Sequence, residues 1–229
     1  MSMSYGGLGE LLDRAIEFTA LKDVERSGWV LREVSNPESV ADHSWGTAQL
    51  CLLFAAHAAQ DPSLNAFDPH RAVSMALVHD LAEVEVGDIP RRMANQNDRP
   101  NREAKARLEH AAIMRLTAAD PADDESGGPV SLHMVRDLWM EYEAAASGSA
   151  RFVRDMNLID MCLQAFLYER DQRYEDHGDV GAFPDYPRMD EFFETSRSRF
   201  STALGVRLHA LVEKRYRETV RLNQENRTT

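Results

Sequence analysis

Only two of the 229 residues are cysteine, Cys51 and Cys162, and both fall inside apolar helical patterns. That scarcity argues against a disulfide scaffold and for a reducing cytoplasm. Basic residues are outnumbered, 26 Lys and Arg against 38 Asp and Glu, for a formal net charge of -12. Such a surface does not suit a nucleic-acid backbone as partner. A small phosphorylated molecule needs only one local cation and stays open as a substrate. No apolar run reaches the ~20 residues of a membrane span, so no membrane partner is expected. The opening Met-Ser-Met-Ser-Tyr-Gly-Gly lacks a basic patch followed by an apolar core, so no signal peptide is expected. Period-two alternation with β-branched residues is missing, which removes strands, and no internal repeat is found.

What is present is helical periodicity. The chain reads as all-α, one domain over 1–229 with its core at about 8–223, a bundle of roughly eight helices. Apolar spacing predicts helices over Leu8–Leu21, Val40–His57, Ala72–Val86, Arg102–Ala119, Leu132–Ala146, Ala150–Tyr168, Met189–Phe200 and Val206–Asn223. Ser39 starts the second and Asp68-Pro69 opens the third, which Gly87 closes. Ser27-Gly28 is expected to break the pattern, leaving Arg26 and Trp29 in a turn or an irregular segment. Polar or Pro/Gly-rich loops are expected over Pro90–Pro100, Asp120–Pro129 and Glu175–Pro187.

One stretch, Ala76-Leu-Val-His-Asp-Leu-Ala-Glu-Val-Glu-Val-Gly-Asp-Ile-Pro90, concentrates the chemistry. His79 and Asp80 offer a divalent metal one nitrogen and one oxygen. In a continuous helix Glu83 follows Asp80 by one turn on the same face, and Asp88 lies just past Gly87. His43, in the second helix, adds a second imidazole. Two His and one Asp from two core helices make a facial set with open positions. A further ligand is expected from Arg151–Gln164, where Asp155, Asn157 and Asp160 interrupt an apolar helix. Polar groups buried there need a metal or a hydrogen bond. The remaining histidines share no ligand spacing.

The motifs Leu21-Lys-x-Val-x-Arg-x-Gly-Trp-Val, Pro37-Glu-Ser-Val-Ala-Asp-His43, Ala76-Leu-Val-His-Asp-Leu-Ala-Glu, Val86-Gly-Asp-Ile, Leu138-Trp-Met-Glu-Tyr-Glu143, Ala150-Arg-Phe-Val and Leu163-Gln-Ala-Phe-Leu-Tyr-Glu169 follow one another in order. Together they resemble the HD-domain phosphohydrolases, most closely the 5'-deoxynucleotidase branch. The resemblance implies an HD-domain fold and a metal-dependent phosphomonoesterase acting on (deoxy)nucleoside 5'-monophosphates. It implies His43, His79 and Asp80 as metal ligands. The family's last ligand is an Asp, and Asn157 stands at that position; its amide oxygen can ligate but brings no charge. Glu83 and Asp88 are implied in catalysis, one orienting or deprotonating water and the other protonating the leaving 5'-oxygen. Arg26 is implied as the phosphate contact and Trp29 as a neighbour of the sugar, where a bulky ring near C2' disfavours a ribose hydroxyl. The cofactor is a divalent ion (Mn, Co, Mg, Fe, Zn or Ni), and a homodimer is implied, with the last helices as a possible seam. Two alternatives remain: a phosphatase for a nucleoside analogue or other small phosphoester, and a catalytically weakened metal- or nucleotide-binding module, for which Asn157 is the motive.

Overall fold

Ser39 starts the helix on which the site is built. Its hydroxyl accepts from the Asp42 amide while the Asp42 carboxylate accepts from the Ser39 amide, closing a reciprocal capping box. The helix then runs through apolar and small residues to Ala58. The structure is a computed structural model that describes residues 6–89, 99–118, 130–174, 186 and 188–227. Among these the order is α1 (Gly6–Thr19), a 3-10 turn (Ala20–Asp23), α2 (Ser27–Leu31), α3 (Val40–Ala58), α4 (Pro69–Val78), α5 (Glu83–Val86), α6 (Arg99–Leu116), α7 (Val130–Ala144), α8 (Gly148–Arg170), α9 (Asp190–Arg197) and α10 (Ala203–Arg227). The described residues form no strand; a lone bridge joins Glu25 to Ser39. No helix among them is long and apolar enough to cross a membrane. The expected loops over Pro90–Pro100, Asp120–Pro129 and Glu175–Pro187 lie almost wholly outside the described residues.

The all-α expectation holds, with two local corrections. The helix expected over Ala72–Val86 is divided. After Val78 the backbone bonds shorten from four residues to three: Leu81 to Val78, Glu83 to Asp80, Val84 to Leu81. This tighter winding carries His79 and Asp80 on a turn between α4 and α5. Gly87 then ends α5 at φ +70°, where only glycine is unstrained. The second correction is Ser27-Gly28, which begins a short helix instead of breaking one. Its first amide is satisfied from a distance, by the Asp88 carboxylate, so no local sequence signal announces it.

The centre is α8, packed against α3, α4, α7, α9 and α10. Phe152, Val153, Met156, Ile159 and Tyr168 of α8 join Met75, Phe193 and Tyr216 in the main core. A second cluster, Leu81, Ala82, Ala112, Ile113, Leu116 and Trp139, fixes the α4–α5 turn to α6 and α7. The α3–α8 crossing is close enough that a Cβ at Gly46 would collide with the Asp160 carboxylate.

Candidate metal centre

The α3–α8 crossing sets the first expected ligand. His43 is wholly buried on α3. Its Nδ1 lies 2.7 Å from Asp160 Oδ2 on α8, so the imidazole donates there and its Nε2 carries the lone pair. His79, at the end of α4, donates Nδ1–H to the Ala76 carbonyl at 2.8 Å, which leaves its Nε2 as a lone pair too. Neither Nε2 has a hydrogen-bond partner although both are buried. Asp80 Oδ2 stands 3.1 Å from His79 Nε2 and 3.7 Å from His43 Nε2. One donor atom from each of the three residues falls within 4.8 Å of the others. Two lone pairs and a carboxylate facing one point repel unless a cation, or a shared proton, lies between them. The donor set and the orphaned nitrogens therefore fit a divalent metal ion.

The electrostatics of His43 agree. Burial, aided by Arg26, pushes the His43 imidazole down to about 3, so it is neutral as a ligand must be. Burial also opposes charge on His79, yet Asp80 and the Ala76 carbonyl raise it overall. Asp80 is buried as well, but His79, His43 and Arg26 hold it well below the usual carboxylate range. For Glu83 the nearby cations, Lys105 and Arg26, do not prevail. Burial and the Asp80 and Asp88 charges push its carboxyl up to about 9, and its Oε2 is buried without a partner. Asp160, lifted by burial, reaches about 7.

Arg26 precedes α2 and places Nη1 3.4 Å from Asp80 Oδ2. Asp88 accepts from the Ser27 amide at 2.6 Å, tying the loop after Gly87 to α2. Glu83 follows Asp80 on the same tight turn, Arg26 lies beside Asp80, and the Asp88 charge is felt by both Glu83 and Arg26. Trp29 is placed differently from an exposed sugar contact. It is 1% exposed, edge-on to Tyr168 and tilted against Phe192, and its Nε1 donates to Glu38 at 2.8 Å.

The three candidates on α8 separate cleanly. Asp155, entertained as a ligand, is removed from the site: both its oxygens are occupied by the amides and hydroxyls of Ser201 and Thr202 ahead of α10. Asp160 supports His43. Asn157 donates Nδ2–H to the Tyr142 hydroxyl at 2.7 Å, and that ring packs edge-on to His79 at 5.0 Å.

Two groups escaped the sequence reading. Glu38 forms a second cluster with His43 and Asp160; burial raises its carboxyl against the pull of His43. Its only signal was a carboxylate just ahead of a helix cap. Lys105 of α6 reaches Glu83, but with Glu109 it reads as an ordinary surface pair four residues apart.

This helical fold, with one imidazole on α3 and a second beside an aspartate on the turn that follows α4, defines a class. The HD-domain family matches residues 18–185, and the chain belongs to it. It is 35% identical over 200 residues to 5'-deoxynucleotidase HDDC2 of Bos taurus, covering 87% of this chain and 82% of the relative. It is 33% identical over 154 residues to 5'-deoxynucleotidase hdd1 of Schizosaccharomyces pombe, covering 66% and 68%. A crystal structure of a Pyrococcus horikoshii protein superposes with a TM-score of 0.61 at 26% identity, covering 90% of this chain and 98% of that one.

Proposed function

We propose that this chain is a metal-dependent phosphomonoesterase that converts (deoxy)nucleoside 5'-monophosphates into nucleoside and phosphate. The observation that carries the reading is the convergence of two unpartnered, buried imidazole nitrogens on Asp80 beside Glu83. The names of the relatives support the substrate class and the deoxy preference. His43, His79 and Asp80 would hold the divalent ion. When bound, it supplies positive charge for phosphoryl oxygens and sharpens a water as nucleophile.

The chain's own groups do the rest. Arg26, already near Asp80, turns its guanidinium to the phosphoryl oxygens. Asp88, with one oxygen on the Ser27 amide, presents the other to the attacking water and takes its proton. Glu83, whose burial favours its protonated form, gives a proton to the departing 5'-oxygen as the O–P bond breaks. Glu38 and Trp29 brace the wall behind Arg26.

Helices α9 and α10 continue past the family match yet pack on α8, which supports one domain. Buried free thiols at Cys51 and Cys162 support a cytoplasmic home. A homodimer is supported by exposed Trp45, Leu52 and Leu53 on α3.

The deciding experiment strips the purified protein of metal and reloads it with Mn, Co, Mg, Fe, Zn or Ni. Phosphate release is then followed over deoxynucleotides, ribonucleotides and generic phosphoesters. Faster turnover of deoxynucleoside monophosphates is expected. Silence with every metal overturns the reading, and preference for another phosphoester replaces the substrate. Asn157 favours a second reading, a weakened metal-binding module, because an amide stands where a charged ligand is expected. If Asn157→Asp gains both metal and activity over wild type by an order of magnitude, that reading wins.

A further inference from the structure

We infer that Lys105 is a positioning residue for the two catalytic carboxylates, an anchor on α6 that sets Glu83 and the Asp88 loop against the metal centre. The inference rests on the phosphomonoesterase reading for its catalytic meaning and on geometry for its substance.

The short helix α5 cannot hold Glu83 by itself. It has four residues and no side-chain cap at its start, far below the length at which a helix is stable alone. The loop beyond it turns sharply at Gly87. Yet Glu83 is 3% exposed, in a place its charge resists. Something outside the segment must fix both. The second apolar cluster packs the turn onto α6, but apolar contacts do not orient a carboxylate.

Lys105 does. Its ammonium has three donors, and three acceptors surround it: Ile89 O at 2.9 Å, Glu109 Oε1 at 3.3 Å and Glu83 Oε1 at 3.4 Å. Its side chain is 17% exposed, unlike a solvated surface lysine. Ile89 directly follows Asp88, so one ammonium ties α6 to Glu83 and to the residue beside Asp88. Glu109, four residues on along α6, holds the ammonium from behind. All three donors being engaged, Lys105 is not a spare cation for phosphate. One bond goes to Oε1 of Glu83, leaving Oε2, the unpartnered oxygen, for the reacting atoms.

The test compares wild type with Lys105→Met, which keeps the aliphatic stem, and Lys105→Arg, which keeps the charge. Three quantities are read: metal content, kcat and KM for a deoxynucleoside monophosphate, and hydrogen exchange in peptides spanning 83–89. Lys105→Met is expected to keep its metal and its KM within about threefold, while kcat falls on the order of a hundredfold, as misplaced groups cost. Exchange over 83–89 should quicken about tenfold, the effect of losing one charged bond. Lys105→Arg should recover most of both. Unchanged kcat and exchange in Lys105→Met overturns the inference. So does a rise in KM alone, which makes Lys105 a substrate contact, or metal loss matching the lost activity, or no recovery in a folded Lys105→Arg. If wild type releases no phosphate, the phosphatase reading falls, and hydrogen exchange still decides whether Lys105 anchors the segment.

Discussion

His43 and His79 each carry a proton on the nitrogen turned away from Asp80, and the acceptor that fixes that proton differs. For His79 it is the Ala76 carbonyl, supplied by its own helix. For His43 it is the Asp160 carboxylate, supplied by α8. A side chain can be changed where a carbonyl cannot, so the role of the support is testable at Asp160. Asp160→Ala should lower metal affinity about 10–100-fold, as loss of a ligand's orienting partner does, and His43→Ala should abolish binding. Titration calorimetry on the stripped protein reads both. Glu83 gives a second prediction at this scale. Its carboxyl is raised from 4.5 to about 9 in the folded protein. A raised acid favours the folded state fully below about 4.5, and that support drains as pH climbs through 9. Metal-stripped wild type should therefore lose melting temperature between pH 5 and pH 9. Glu83→Gln, which cannot ionise, should lose less. Parallel melting curves for the two proteins would dismiss the buried-acid assignment.

At the scale of elements, Asp155 shows what a helix partner does that a ligand would not. It receives two amides and two hydroxyls from Ser201 and Thr202, and Gly205 leaves room for its carboxylate. Asp155→Ala should cost about 1–2 kcal/mol, the range of a lost helix cap, with metal content unchanged. Chemical denaturation and metal analysis separate these. Most elements were legible because their signals are local: Ser39 and Asp68 cap α3 and α4, Gly87 ends α5, and the apolar spacing of α8 persists on either side of its polar interruptions. The convergence of His43, His79 and Asp80 was legible through motif order. What escaped depends on partners distant in sequence. The start of α2 is completed by Asp88, 61 residues away. The place of Asp155 needs the turn before α10, 46 residues on. Lys105 looks like half of a surface pair until α5 is laid against α6. No single-segment pattern holds such information.

For the whole molecule, the charge of -12 sets the terms on which copies meet. Like-charged copies repel at long range, but screening confines that repulsion to about 8 Å at physiological salt. A lasting contact must then be apolar. On α3, Trp45, Leu52 and Leu53 are 63%, 67% and 64% exposed. Spacings of seven and eight residues put them on one side of the helix, opposite buried His43, Thr47, Leu50 and Cys51. On α10 the exposed Leu211 and Leu222 share a face but stand about three turns apart, with Val206 on another side, which makes it the sparser seam. A dimer built on α3 has a distinct signature. Trp45→Glu with Leu52→Glu should convert a dimer to a monomer in light scattering while the fold is spared, since exposed positions change stability by only about 0.5 kcal/mol. Because α3 also carries His43, metal affinity measured on the monomer would show whether the partner stiffens the site; equal affinities would make the dimer a matter of solubility alone. A wild-type mass equal to one chain, or a variant that stays dimeric, would remove α3 as the interface.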